Sequence, residues 1–333
     1  MKKLFALFMT AVMAVGIVGC GGSEPASDNG LEDFSIVLDW YPNAIHSFLY
    51  VADEKGYFEE EGLNLVVNFP ANTNDGISLP AAGKADVGMY YLQDAILTAV
   101  EEDVPIVSVG SVVQESLNVV ISLKEKGIET PADLAGKKIG YAGTALSEAQ
   151  IRCMLEKAGV SAEDCELIDV GFDLLTATTT GQVDATIGNM INHEVPQLEE
   201  QGIAINYFCP ADHGVPDYYE LVFLTGQDAV ENNPEKLQRF LRAAQKGFAF
   251  MQENPEEALQ ILLDHQNAEN FPLSLSVEKA SMEVLLPLME TAESPFMAQD
   301  ISVWQANADW LYEMGLLSKQ TDVSHMVVDL LGK

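Results

Sequence analysis

The sequence predicts an α/β fold of two lobes with a ligand cleft between them. Three observations carry that prediction. Strand-like and helix-like segments alternate from residue 34 to about 225, the pattern of sheets linked by crossover helices. The pattern repeats at an offset of about a hundred residues: Gly83-Lys84-Ala85-Asp86-Val87-Gly88 returns as Gly181-Gln182-Val183-Asp184-Ala185-Thr186-Ile187-Gly188. A chain of 333 residues is also too long for one simple core.

The first segment is a leader. Lys2 and Lys3 precede an apolar run over 4–18, followed by Gly19-Cys20. That is the layout of a secretory signal, too short for a transmembrane helix. Ile17-Val18-Gly19-Cys20 resembles a bacterial lipobox, which implies a signal peptide over 1–19 and a lipid on Cys20. An ordinary cleaved signal with an incidental Cys is the alternative. Residues 20–33, rich in Gly, Ser, Asp and Asn, form a flexible tether. The lipid is then the sole membrane attachment, on the outer face of the cytoplasmic membrane or in the periplasm of a two-membrane cell.

The net charge is −34 at pH 7, and it falls further once Lys2 and Lys3 are cleaved away. Such a surface repels nucleic acid and anionic lipid, so neither is an expected partner. Hydrophobic residues make up 48% of the chain, which excludes an acidic disordered tail. Cys153, Cys165 and Cys209 show no zinc-ligand spacing and are read as free, with a Cys153–Cys165 bridge as the alternative. No cofactor is expected.

The elements follow in order. The first unit is strand 34–38, helix 44–55, Gly56 and strand 63–69. The second is strand 138–141, helix 147–158, Gly159 and strand 166–170. Ser147 with Gln150 reads as a capping box, and Thr130-Pro131 as a cap with Pro at the first helical position. After a strand over 218–224 the chain turns helical. Asn233-Pro234 and Asn254-Pro255 open helices 234–252 and 255–264, and Val303, Ala306, Trp310 and Met314 mark a helix over 301–315. This tail is expected to pack on the first lobe. The first lobe then comprises 34–117 with 220–333 and the second 118–219, with hinges at 116–119 and 217–221.

Ligands of such sheets sit beyond the carboxyl ends of the strands. Four strand ends meet there. The first carries Asp39, Trp40, Tyr41, Pro42 and Asn43, then His46. Asn43 is the expected helix cap, and the two rings offer flat faces. The others carry Tyr90 and Tyr91; Tyr141, Gly143 and Thr144; and Asn189, Asn192 and Glu194. Glu115, beside the first crossing, is counted with them. The cleft thus pairs aromatic faces with carboxylates, Asp39 and Glu194 would repel an anion, and the nearest lysine, Lys84, belongs to the repeated structural motif.

Leu38-Asp39-Trp40-Tyr41-Pro42-Asn43, with Tyr50-Val51-Ala52, Lys55-Gly56-Tyr57-Phe58 and the Gly-Lys-Ala-Asp-Val-Gly repeat, resembles the solute-binding lipoproteins of ABC importers. The branch is the one that takes sulfonates, nitrate and the thiamine pyrimidine precursor. The resemblance covers residues 34 to about 265. It implies a periplasmic-binding-protein type II fold, a monomer, permease and ATPase partners, and Glu194 in the place of the family's acidic ligand residue. It also implies a flat amino-heterocycle as the small-molecule ligand. Riboflavin, another heterocycle, or a sulfonate or nitrate remain alternatives. Eukaryotic relatives make the pyrimidine with a cysteine-rich motif that is missing here, so a non-enzyme is expected.

Overall fold

The computed structural model describes residues 30–171, 173–266 and 271–332; the leader and Cys20 lie outside the described residues. The first sheet region runs β1 (Glu32–Val37), α1 (Ser47–Glu54), α2 (Tyr57–Glu60), β2 (Leu63–Asn68), α3 (Asp75–Ala81), β3 (Val87–Tyr90), α4 (Leu92–Glu101) and β4 (Ile106–Ser111). The second runs β5 (Asn118–Leu123), β6 (Lys138–Tyr141), α5 (Ala145–Lys157), β7 (Glu166–Asp169), α6 (Leu174–Thr179), β8 (Ala185–Met190), α7 (Glu194–Glu200) and β9 (Ile205–Phe208). The chain then returns through β10 (Val222–Gly226) and ends in α8 (Gln227–Asn232), α9 (Pro234–Glu253), α10 (Pro255–Asp264), α11 (Leu275–Met289) and α12 (Ile301–Glu313).

The two sheets share one plan, β2-β1-β3-β10-β4 and β7-β6-β8-β5-β9. β1 pairs parallel with β2 and β3, and β6 pairs parallel with β7 and β8. The sheets are mixed rather than parallel, because β10 and β5 run antiparallel to both their neighbours. Each of these two follows a crossing from the other sheet, so it arrives in the opposite sense. β1 begins at Glu32, earlier than side-chain periodicity indicates, since its exposed first residues pair through backbone with Leu63 and Asn64. β10 begins only at Val222, because residues 218–221 belong to the crossing.

Several local expectations change. The helix at 44 opens as a 3-10 turn over Ala44–His46 before α1, and Asn43 caps it. Thr144, not Ser147, caps α5: its side chain accepts from Ser147 N. The two hydroxyls stand three residues apart, so either fits the pattern. Gln150 is buried in a polar chain, accepting from Asn118 Nδ2 at 3.0 Å and donating to Gln93 Oε1 at 3.0 Å. Thr130-Pro131 caps a 3-10 turn.

The helical tail covers more than one lobe. Phe240 of α9 stacks on Phe34 of β1 with ring centroids 4.3 Å apart, and α10 packs on α1. α12 packs on α4, yet Trp310 Nε1 also donates to Cys153 Sγ of α5 at 3.4 Å. Its buried face is Trp304, Asn307, Ala308, Trp310 and Leu311, about one residue around the helix from the apolar pattern, with Trp310 common to both. Asn307 is buried because it accepts from Gln93 Nε2 at 2.8 Å and donates to Asp217 O at 2.9 Å. α11 touches α7 of the second lobe, where Asn192 Nδ2 donates to Ser281 Oγ at 3.1 Å. The three described cysteines are free. Among the described residues no helix is long and apolar enough to cross a membrane.

Candidate functional site

A cavity of about 380 Å³ opens between the strand ends of the two sheets, within the usual range for small-molecule sites. Its first wall is the β1–α1 turn, which supplies Asp39, Trp40, Asn43 and Ile45. The turn is fixed by short-range bonds. Asn43 Oδ1 accepts from Ile45 N at 3.1 Å, and His46 Nδ1 accepts from Asn43 N at 3.2 Å. That leaves the proton of the imidazole on Nε2, 2.9 Å from Asp39 Oδ1. His46 is fully buried with both ring nitrogens engaged, so it positions Asp39 from behind and does not reach the cavity.

The paired aromatics separate. Trp40 lines the cavity and is 50% exposed. Tyr41 does not line it; its ring stacks on Phe271 at 3.4 Å and tilts against Phe69. Tyr91, the residue before α4, lines the cavity, whereas Tyr90 turns into the core with its ring 4.9 Å from Tyr91. Adjacent residues at a strand end point to opposite faces, so only one of the pair can face the ligand. Burial, with Asp39 and Glu220 nearby, holds the Tyr91 hydroxyl well above its ordinary pKa.

On the second lobe, Ala142 lines the cavity, whereas Tyr141, Gly143 and Thr144, expected there, are not among its lining residues. Tyr141 packs against the core and Thr144 is occupied as a cap. Gly143 has φ +70°, and a Cβ there would come within 2.5 Å of the Asp169 carboxylate, so its smallness admits β7 rather than a ligand. Asn189, within β8, is fully buried and donates to Thr186 O and Oγ1 at 3.1 and 3.0 Å. Its strand neighbours Gly188 and Met190 line the cavity, so strand alternation turns Asn189 to the other face. Asn192 does line the cavity, and its buried Oδ1 has no partner among the described residues.

Glu194 lines the cavity at the start of α7. Its Oε2 accepts from Met190 N at 2.7 Å, and its Oε1 lies 2.9 Å from His193 Nδ1. Burial opposes charging of His193, but the Glu194 contact prevails and raises its pKa. Glu115 is exposed on the crossing and is not among the residues lining this cavity; partial burial and the charges of Asp217 and Asp212 raise its carboxyl.

Three lining residues escaped sequence reasoning at the crossings: Leu117, Glu220 and Leu221. Glu220 is 3% exposed, and burial pushes its carboxyl up to about 7. A lone acid inside the apolar run Tyr218-Tyr219-Glu220-Leu221-Val222 was the available signal. Among the described residues no lysine or arginine lines the cavity. A second groove, of about 420 Å³ between α10 and α11, is lined by Leu259, Met282 and Leu286 with Glu256 and Lys279. It has no aromatic face and lies away from the strand ends.

Comparison with known proteins agrees with this architecture. The formylaminopyrimidine-binding protein of Halalkalibacterium halodurans is 43% identical over 309 residues, 93% of each chain. A more distant relative, the 4-amino-5-hydroxymethyl-2-methylpyrimidine phosphate synthase of Aspergillus parasiticus, is 27% identical over 75% of each chain. The alkanesulfonate-binding protein SsuA from Xanthomonas axonopodis pv. citri bound to MOPS aligns with a TM-score of 0.68 at 19% identity, covering 92% of this chain and 100% of that one. The fold is therefore the two-lobed one of periplasmic binding proteins. Residues 43–258 match the family described as NMT1/THI5 like, and the chain belongs to that family.

Proposed function

We propose that this protein is the extracytoplasmic solute-binding component of an ABC importer and that it holds a flat amino-heterocycle, a thiamine pyrimidine precursor, in the interlobe cavity. The observation that carries the reading is the makeup of the wall. Asp39, Glu194 and Glu220 present carboxylates beside the Trp40 and Tyr91 rings, with no lysine or arginine among the lining residues. Carboxylates accept amino hydrogens and repel anions, and the rings stack on a flat heterocycle. A sulfonate or nitrate would instead need cationic or amide donors. The 43% identity to a formylaminopyrimidine-binding protein supports the same ligand class.

The synthase relative favours no enzymatic reading here. Cys153, Cys165 and Cys209 all lie off the cavity wall, and Cys153 Sγ is engaged with Gly214 O at 3.2 Å. In the proposed arrangement residues 34–117 with 220–333 form one lobe, 118–219 the other, and a lipid on Cys20 holds a monomer beside its permease and ATPase. Mass spectrometry of small molecules that copurify with the protein tests the ligand. An aminopyrimidine in the extract supports the reading, and a sulfonate in its place refutes it.

A further inference from the structure

Resting on that reading, we propose that Glu220 determines ligand specificity by sharing one proton with the bound heterocycle. Its carboxyl pairs at two points with the edge where an amino group adjoins a ring nitrogen. Glu220 sits where the chain crosses between sheets, just before β10, and Leu117 sits on the other crossing, just before β5. Leu117 N donates to Glu220 Oε2 at 2.7 Å, and both residues line the cavity. The carboxyl is thus held on the cavity floor by a rigid backbone donor.

A buried carboxylate is normally paired with a cation, and this one is not. Among the described residues no lysine, arginine or histidine forms an ion pair with Glu220, whereas Asp39 accepts a hydrogen bond from the His46 imidazole and Glu194 is paired with His193. The ionisable groups around it are mostly acidic. Asp39 comes from the β1–α1 turn, and Tyr91 and Asp94 come from the start of α4. Tyr218 and Cys209 lie on its own crossing, while His193 and Glu194 face the cavity from the second lobe. Burial among these groups favours the neutral acid, whose pKa stands at about 7.

A neutral carboxyl offers one O–H donor and one acceptor. An aminopyrimidine edge offers the complement: the ring nitrogen accepts the O–H, and the exocyclic N–H donates to the carbonyl oxygen. If the ring takes the proton instead, the same two bonds join a carboxylate to a protonated ring. Either way the pair contains one proton and no other atom moves. Asp39 and Glu194, each already partnered by a histidine, lack this property. A ring without the amino group forms one of the two bonds, and an anion can accept the O–H but has no donor for the carbonyl oxygen.

The test is calorimetric titration of the full chain with a formylaminopyrimidine in buffers of differing ionisation enthalpy. Above pH of about 7, affinity should fall about tenfold per pH unit, with uptake of about one proton per ligand by about pH 8.5 and little uptake near pH 6. Glu220→Gln should bind roughly tenfold more weakly near pH 6, because an amide is the poorer donor to a ring nitrogen, and its pH profile should be flat. Proton uptake by the natural protein stands as evidence even if that variant fails to fold. Tight binding without proton uptake, or a profile that persists in Glu220→Gln and vanishes in His193→Gln, overturns the role of Glu220 and leaves the ligand reading intact. Failure to bind any formylaminopyrimidine at any pH overturns both.

Discussion

Ala44 N donates to Glu278 Oε2 at 2.7 Å across 234 residues of sequence, tying the β1–α1 turn of the cavity wall to helix α11. Glu278 is 2% exposed, and burial raises its carboxyl pKa. The bond fills one of the free N–H groups at the start of the helical segment. Glu278→Ala should therefore cost about 1–3 kcal/mol, read as a lower midpoint in a denaturant melt. Glu278→Gln, which keeps an acceptor, should recover most of that loss. Equal effects of the two changes would mean that the carboxyl does not anchor the turn.

Trp40 is half exposed, whereas Trp304 is fully buried. Trp40→Ala should leave the thermal midpoint nearly unchanged while weakening ligand binding by about 0.5–1.5 kcal/mol or more, the worth of an aromatic pair beyond its area. Trp304→Ala should destabilise the fold by about 3–5 kcal/mol. A Trp40→Ala protein that melts like the Trp304→Ala protein would show that Trp40 belongs to the core.

Glu194 holds its own backbone turn through Met190 N while it faces the cavity. Glu194→Gln should weaken binding by about 1–3 kcal/mol, the range for a hydrogen bond to a charged group. It should also lower the pKa of His193, measurable by NMR titration of the ring, because the carboxylate that raises it is gone. An unchanged His193 pKa would contradict the 2.9 Å pairing.

The order of elements was legible because apolar periodicity and Gly-Asp punctuation report local structure directly. The Asp39–Asn43 wall was legible for the same reason, since its cap lies within a few residues. The orientation of individual side chains was not. Tyr90 and Tyr91 are chemically alike, and only strand parity sends one inward. His46 looks like a contact residue until the backbone N–H of Asn43 occupies its second nitrogen. The contacts of Glu278 and Glu220 were illegible for a different reason: their partners, Ala44 and Leu117, are far away in sequence, and only the folded chain brings them together.

Stability should depend on pH in a defined direction. Burial raises the Glu220 carboxyl to about 7 and the Asp94 carboxyl to about 6. A raised folded-state pKa gives stability that is complete below the unfolded value and lost as pH rises through the folded one. The unliganded protein should melt lower at about pH 8 than at about pH 6, by an amount equivalent to about 1–3 kcal/mol. In Glu220→Gln much of that difference should disappear. A melting point that rises over this interval would contradict the buried, unpaired placement of these acids.

The measurement closest to the central claim is a calorimetric titration of the protein with a formylaminopyrimidine and, in parallel, with an alkanesulfonate. The wall of Asp39, Trp40, Tyr91, Glu194 and Glu220 predicts saturable binding of the aminopyrimidine at one site per chain, weakened by Trp40→Ala and by Glu194→Gln, and no measurable heat with the sulfonate. Tight sulfonate binding that is unaffected by Glu194→Gln would contradict it.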